Sequence, residues 1–266
     1  MSAALPFASP ELTGLRPGGL LSGLRERVSH RLAMHLARAP FVMRNAAPLA
    51  SFTFDDVPET ALTAGARLLE EADARGTFYI AGGLIGQRTP DWRLVDADGV
   101  RALHRAGHEI GCHTFSHTRA PRLGRGAILD ELDRNRACLA AIEPGLALAN
   151  FAFPYGSGSL PAKRALARRF ASSRGIEPAL NAGLVDLQLL HAFPLMDGAM
   201  DRALVDRVLD AAVARNAWVI FYTHDVAERP SRYGCTPGLL AHALAGARRR
   251  GIAPTTVAQG LALIGR

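Results

Sequence analysis

From residue 48 onward, short apolar runs alternate with stretches of helical periodicity. The runs "LASFTFD" at 49–55, "TFYIAG" at 77–82, "HEIGC" at 108–112, "NFAFP" at 150–154, "RFASS" at 169–173, "LLHAFPL" at 189–195 and "WVIFYTH" at 218–224 are short and buried in character, as strands of a parallel sheet are. Helical patterning fills the intervals near 59–73, 126–142, 203–216 and 238–250. Repeated strand and helix units predict a parallel sheet. About seven of them favour an α/β fold of the (β/α) barrel kind over an open doubly wound sheet. In either architecture chemistry collects at the C-terminal ends of the strands, where the βα loops converge.

Residues 1–47 follow a different pattern. Pro6, Pro10 and Pro17 come first, then Leu21, Leu24, Val28, Leu32 and Leu36 recur three or four apart and predict an amphipathic helix. Arg25, Arg27, Arg31 and Arg38 lie between the apolar positions. Two readings stand side by side: a helix packed on the main domain, or peripheral contact of residues 20–38 with an anionic membrane surface. The expected organisation is an N-terminal helical extension at 1–47 and one domain at 48–266.

Composition narrows this picture. With 48% hydrophobic and 21% charged residues the chain reads as globular, and it has no internal repeat and no apolar run long enough to span a bilayer. No export signal pattern opens it, and Cys112, Cys138 and Cys235 form no CxxC pair, so a soluble cytoplasmic protein with reduced thiols is expected. The net charge of +7 is arginine charge, Lys163 being the one lysine. Those arginines are scattered without interleaved aromatics, which argues against a nucleic-acid partner. Oligomeric state is left open.

Four polar clusters fall at predicted strand ends. In "SFTFDDVPET" a strand delivers Asp55 and Asp56 together. Asp56 with Glu59 three residues on fits a helix capping box. Alternatively, two adjacent carboxylates need a cation, one serving as ligand and its neighbour as base. In "GHEIGCHTFSHTRA", His113 and His117 stand four apart, a spacing that lets both imidazoles reach one ion from a helical turn. Two histidines and a carboxylate form a facial triad with open positions. In "NFAFPYGSGS", Pro154, Tyr155 and Gly156 make a turn whose freed amides either serve only the turn or meet an oxyanion. In "WVIFYTHDV", His224 is either a buried structural histidine or an acid or base.

In order and spacing these segments resemble the polysaccharide deacetylases, the family 4 carbohydrate esterases that share the NodB homology domain, over about residues 48–264. "TFDD", "HTFSH", "FAFPYG" and "FYTHD" are similar to four of that family's motifs. The resemblance implies a distorted barrel of about seven β/α units. It further implies Asp55 as catalytic base, Asp56, His113 and His117 as metal ligands, His224 as general acid and the Tyr155 backbone amide as oxyanion donor, with Pro154 and Gly156 shaping that turn. The cofactor implied is a divalent metal, zinc first, with cobalt, manganese, nickel or iron as other fits. The implied substrate is an acetylated sugar or glycan.

Two departures stand out. The arginine that many members carry in the third motif is missing around Asn150, Ala152 and Phe153, and Arg174, at the end of the next strand, is either its replacement or a surface arginine. The fourth motif's Asp and Trp are not evident, and Asp186 is the candidate substitute. Three further functions stay open: a hydrolase of small linear or cyclic amides on the same site, a catalytically silent basic protein that binds glycan or lipid, and, more remotely, a non-haem iron oxygenase.

Overall fold

The computed structural model describes residues 20–266. Residues 1–19 of the predicted extension, with Pro6, Pro10 and Pro17, lie outside the described residues, as do the side chains of Leu21, Leu24 and Arg25. The first elements are α1 (Leu20–His35), β1 (Pro40–Val42), β2 (Leu49–Asp55), a loosely wound π-helical stretch (Ala61–Ala66) leading into α2 (Arg67–Glu71), β3 (Thr77–Ile80), α3 (Ala97–Arg105), β4 (Glu109–Cys112) and α4 (Arg125–Ile142). Then follow β5 (Asn150–Ala152), α5 (Leu160–Leu166), β6 (Ser172–Arg174), β7 (Leu184–Asp186), β8 (Phe193–Pro194), α6 (Arg202–Ala214), β9 (Trp218–Thr223), α7 (Pro237–Arg249) and α8 (Val257–Leu263).

Seven strands form one parallel sheet in the order β6-β5-β4-β3-β2-β9-β8. The sheet curls. Its edge strand β6 continues into backbone hydrogen bonds with residues 187–190, the segment that runs into the opposite edge β8, so a distorted (β/α) barrel results. Each of the seven runs read from the sequence contributes a strand, although "RFASS" starts pairing only at Ser172 and "LLHAFPL" only at Phe193.

Alternation along the strands separates two environments. Phe52 and Phe54 of β2, Phe78 of β3 and Val219 and Phe221 of β9 join the apolar layer beneath the helices, with Phe54 and Phe78 stacked at 4.6 Å. The intervening side chains include polar and amphipathic ones: Ser51 accepts from Trp218 Nε1 at 3.0 Å, and Thr53 donates to Phe221 O at 2.9 Å. Tyr79 shares that interior. A Cβ on Gly111 would lie 2.3 Å from the Tyr79 ring, so only glycine leaves room for it. A buried strand run therefore conceals a partly polar interior, in which Ser51 and Thr53 have partners while the buried Tyr79 hydroxyl has no hydrogen bond.

The N-terminal segment is strapped to the barrel. β1 pairs antiparallel with β7, Phe41 opposite Val185, and α1 rests on the turn at Ala120–Arg122 and on α5. The described part of the predicted apolar stripe, however, does not face the domain. Ala33 is buried and Met34 packs inward, whereas Val28, Leu32 and Leu36 are 48%, 47% and 45% exposed. The contact is made instead by polar groups of the other face: Glu26 pairs with Arg122 at 2.6 Å and His30 accepts from Gly158 N at 3.2 Å.

Candidate metal centre

Five strand ends meet over one mouth of the barrel. β2 ends at Asp55 with Asp56 next, β4 is followed by His113, β5 leads to Tyr155, β6 ends at Arg174, and β9 is followed by His224. The chain is strained there. Of seven non-glycine residues with positive φ among the described residues, Asp56, Val57, Thr114, His117 and Tyr155 all sit in these loops. Such conformations persist only where surrounding structure enforces them, and they gather at working sites.

Asp56 occupies the centre of a three-residue turn, closed by Val57 N donating to Asp55 O at 2.6 Å, with φ of 58°. That backbone cannot serve as an N-cap, so the capping-box reading fails. The turn instead throws two successive carboxylates to different partners. Asp56 faces the histidines. Asp55 meets the Arg174 guanidinium in a buried ion pair, both side chains being nearly inaccessible. Arg174 also donates to Gly175 O at 3.0 Å and lies over the rings of Tyr79 and Tyr222, at 4.9 and 5.4 Å. It is no surface arginine.

His113 and His117 do not share a helical turn, contrary to the expectation from their spacing. They lie on a loop folded by the positive φ of Thr114 and His117. Glu131 of α4 holds that loop by accepting from Phe115 N, Ser116 N and Ser116 Oγ at 2.8 to 3.0 Å. His113 Nδ1 lies 2.8 Å from the Ala152 carbonyl, which can only accept, so Nδ1 carries the proton and the neutral ring presents a bare Nε2. That nitrogen is 3.8 Å from Asp56 Oδ1, and His117 Nε2 is 3.3 Å from the same oxygen. One ligand atom from each of the three residues lies within 4.8 Å of the others.

Electrostatics point the same way. Burial lowers the pKa of both His113 and His117 to about 4, so both are neutral and able to ligate above that pH. Burial also pushes the Asp56 carboxyl up, and neighbouring Asp55 adds to this against the pull of His113 and His224. On Asp55 burial works upward too, but Arg174 first, then His113 and His224, outweigh it and hold the carboxyl below its ordinary range. Asp56 Oδ1 is buried without a hydrogen bond, facing the lone pair of His113 Nε2. Lone pair against lone pair is repulsive unless a cation lies between. The donor set fits a divalent ion, with room left for further ligands.

The rim was only partly legible in the sequence. Tyr155 is 48% exposed, its ring 4.5 Å from that of His117 and capped by Arg119 at 3.9 Å. Pro154 and Gly156 make its turn, and a Cβ on Gly156 would meet Ile176 at 2.1 Å. His224 stacks on Trp92 at 5.3 Å, and its Nδ1 lies 3.2 Å from Tyr233 O. Asp225 holds Trp92 in place by accepting from its Nε1 at 2.9 Å and from Ser231 N at 2.7 Å. Sequence reasoning missed Trp92, Tyr233 and Glu131. The signal for Glu131 was an acid among the apolar positions of α4; nothing local marked the other two.

Asp186, the candidate stand-in for the fourth motif, does not join this cluster. Its carboxylate accepts from Arg38 N, Ala39 N and Gln188 N and pairs with Lys163, which fixes the N-terminal strap.

Residues 43–172 match the family model described as polysaccharide deacetylase. A search of curated proteins by sequence finds no match. Among solved structures, a family 4 carbohydrate esterase from Streptomyces lividans in complex with acetate is similar at 15% identity and TM-score 0.56, over 79% of this chain and 93% of that one. A family 4 acetyl xylan esterase from Clostridium thermocellum, in complex with a cobalt ion, is similar at 22% identity and TM-score 0.56, over 81% and 91%. A pseudoenzyme of the same family from Bacillus anthracis is similar at 15% identity and TM-score 0.58, over 86% and 70%. At these identities the likeness establishes the shared fold.

Proposed function

We propose, from the match of residues 43–172 to the polysaccharide deacetylase model and from the geometry of the site, that this chain is a metal-dependent hydrolase that removes an N-acetyl or O-acetyl group from a sugar. The observation that carries the proposal is the pairing of an unsatisfied buried Asp56 oxygen with two neutral histidine nitrogens, beside a second carboxylate held ionised by Arg174.

Asp56, His113 and His117 would hold the ion. When bound, a divalent ion there supplies Lewis acidity, lowering the pKa of a water from about 15.7 toward about 7 and polarising a carbonyl. The chain's own residues carry the remaining roles. Asp55, kept anionic by Arg174, takes a proton from the water that attacks the acetyl carbonyl. Arg174 fixes the base by its bond to the carboxylate and replaces, from β6, the arginine missing from β5 and its loop. The Tyr155 backbone amide donates to the oxygen on which charge develops. His224, its Nδ1 edge anchored on Tyr233 O, delivers a proton from the other edge to the departing nitrogen or oxygen, so that acetate and the free amine or alcohol leave.

The test is acetate release from a panel of N- and O-acetylated mono- and oligosaccharides, before and after chelation and after adding back zinc, cobalt or manganese. The proposal expects release that chelation abolishes and metal restores. A protein that binds stoichiometric metal yet releases no acetate from any acetylated sugar belongs with the silent members of the fold. Release from small amides but not from sugars moves the substrate class.

A further inference from the structure

We propose that the outward face of α1 docks this protein on an anionic lipid bilayer. The helix is inside out for a packed element. Among its described side chains the domain takes Glu26, His30 and Ala33, while Val28 and Leu32, with Leu36 just past the helix end and each four residues from the next, form an exposed apolar line. Arg27, Arg31 and His35, each one position earlier, form a second exposed line beside it. The one acid of the helix, Glu26, is turned inward to Arg122, so the outward face holds no negative charge. Arg27 and Arg31 make no ion pair among the described residues.

An apolar stripe flanked by cations matches the acyl boundary and the headgroups of an anionic leaflet, and the chain's net charge of +7 adds long-range attraction to it. A second copy of this chain is the poorer occupant, since a self-complementary contact would bring like-charged arginine lines together. Contact is superficial rather than spanning: among the described residues no helix is long and apolar enough to cross a membrane. The strap beyond α1 carries a further exposed apolar pair, Val42 opposite Leu184, 57% and 71% exposed. α1 is bolted through Arg122 and Gly158 to the two loops that follow His117 and Tyr155, so a docked helix keeps those loops at the lipid surface.

The experiment is co-sedimentation of the full chain with vesicles of phosphatidylcholine alone or with about 30% phosphatidylglycerol, at low and high salt. It needs no substrate, so it stands or falls apart from the deacetylase reading. The full chain is expected to sediment with the anionic vesicles and to be released by salt. Leu32→Glu combined with Leu36→Glu is expected to weaken partition by about tenfold or more, and Arg27→Glu with Arg31→Glu to erase the preference for anionic lipid. Both variants should keep the wild-type circular dichroism and thermal midpoint, because the side chains are exposed. Absence of partition into anionic vesicles, equal partition of the variants and wild type, or a solution dimer without vesicle binding that Leu32→Glu dissolves would each overturn the proposal.

Discussion

Two carboxylates in this protein, half-buried Asp186 and buried Asp55, each meet a buried cation, and they differ in what is left over. At the strap, Lys163 gives its three ammonium protons to Ala33 O, Leu36 O and Asp186, and Asp186 accepts from three backbone amides besides. At the barrel mouth, Asp55 and Arg174 pair equally closely, but Asp56 Oδ1 next door has no donor, and the loops around it carry strained backbone. A saturated buried network holds a fold together; one with a group left wanting, surrounded by strain, is built for something that arrives later. Burial and charge alone do not separate the two.

The sharpest way to break this comparison is to neutralise each carboxylate. Asp55→Asn is expected to cut kcat for acetate release by about 10²- to 10⁴-fold, the scale of a lost general base, whereas Asp186→Asn should leave the turnover of folded protein within about threefold. Both leave a buried cation unpaired, so both should lose stability. Activity, not the melting point, discriminates them. Lys163→Met removes the other partner at the strap and is expected to cost about 3 to 5 kcal/mol in denaturant unfolding, again with normal turnover of the folded fraction.

Arg174→Lys sharpens the comparison further. The charge survives but the planar fork does not, and a fall in kcat of about 10- to 100-fold is expected. Because Arg174 is the main influence holding the Asp55 carboxyl down, the acid limb of the pH profile should move to higher pH in this variant. An unmoved limb would assign Arg174 to the fold alone.

The smallest effect is on stability against pH. His113 and His117 titrate at about 4 in the folded chain and near 6.5 when unfolded, so the unfolded state binds more protons between those values. In metal-free protein their contribution to stability is present above about pH 6.5 and is lost as pH falls toward 4. Asp56, with its carboxyl pushed up, works in the opposite sense near the carboxylate range, so the histidine effect is read between about pH 6.5 and 5. Denaturant midpoints of His113→Gln against wild type across that interval measure it, and the variant should show the shallower slope.

How much of this was legible depends on the range of the signal. β2, β3, β4 and β9 show in the sequence because both faces of a barrel strand avoid water, and Asp55, Asp56, His113, His117 and His224 follow as polar residues at their ends. The partners of those residues were out of reach. That Arg174 meets Asp55 depends on the barrel's curl bringing β6 and β2 ends together across 119 positions of chain, and Trp92 reaches His224 from a loop with no strand of its own. For the α1 stripe the sequence left two facings open, because periodicity finds a face without saying what it meets, and Val28, Leu32 and Leu36 are exposed rather than packed on the domain. Asp186 failed as a site residue for a related cause: a lone acid after an apolar run serves a strap or a site equally well until its donors are seen.

The most direct test of the central claim is metal stoichiometry measured together with turnover on stripped and zinc-reloaded protein, for wild type, Asp56→Ala and Asp55→Asn. One ion per chain in wild type and Asp55→Asn, little in Asp56→Ala, and acetate release in wild type alone is the predicted result. A wild type that holds no stoichiometric ion, or an Asp55→Asn protein that releases acetate as fast as wild type, would contradict it.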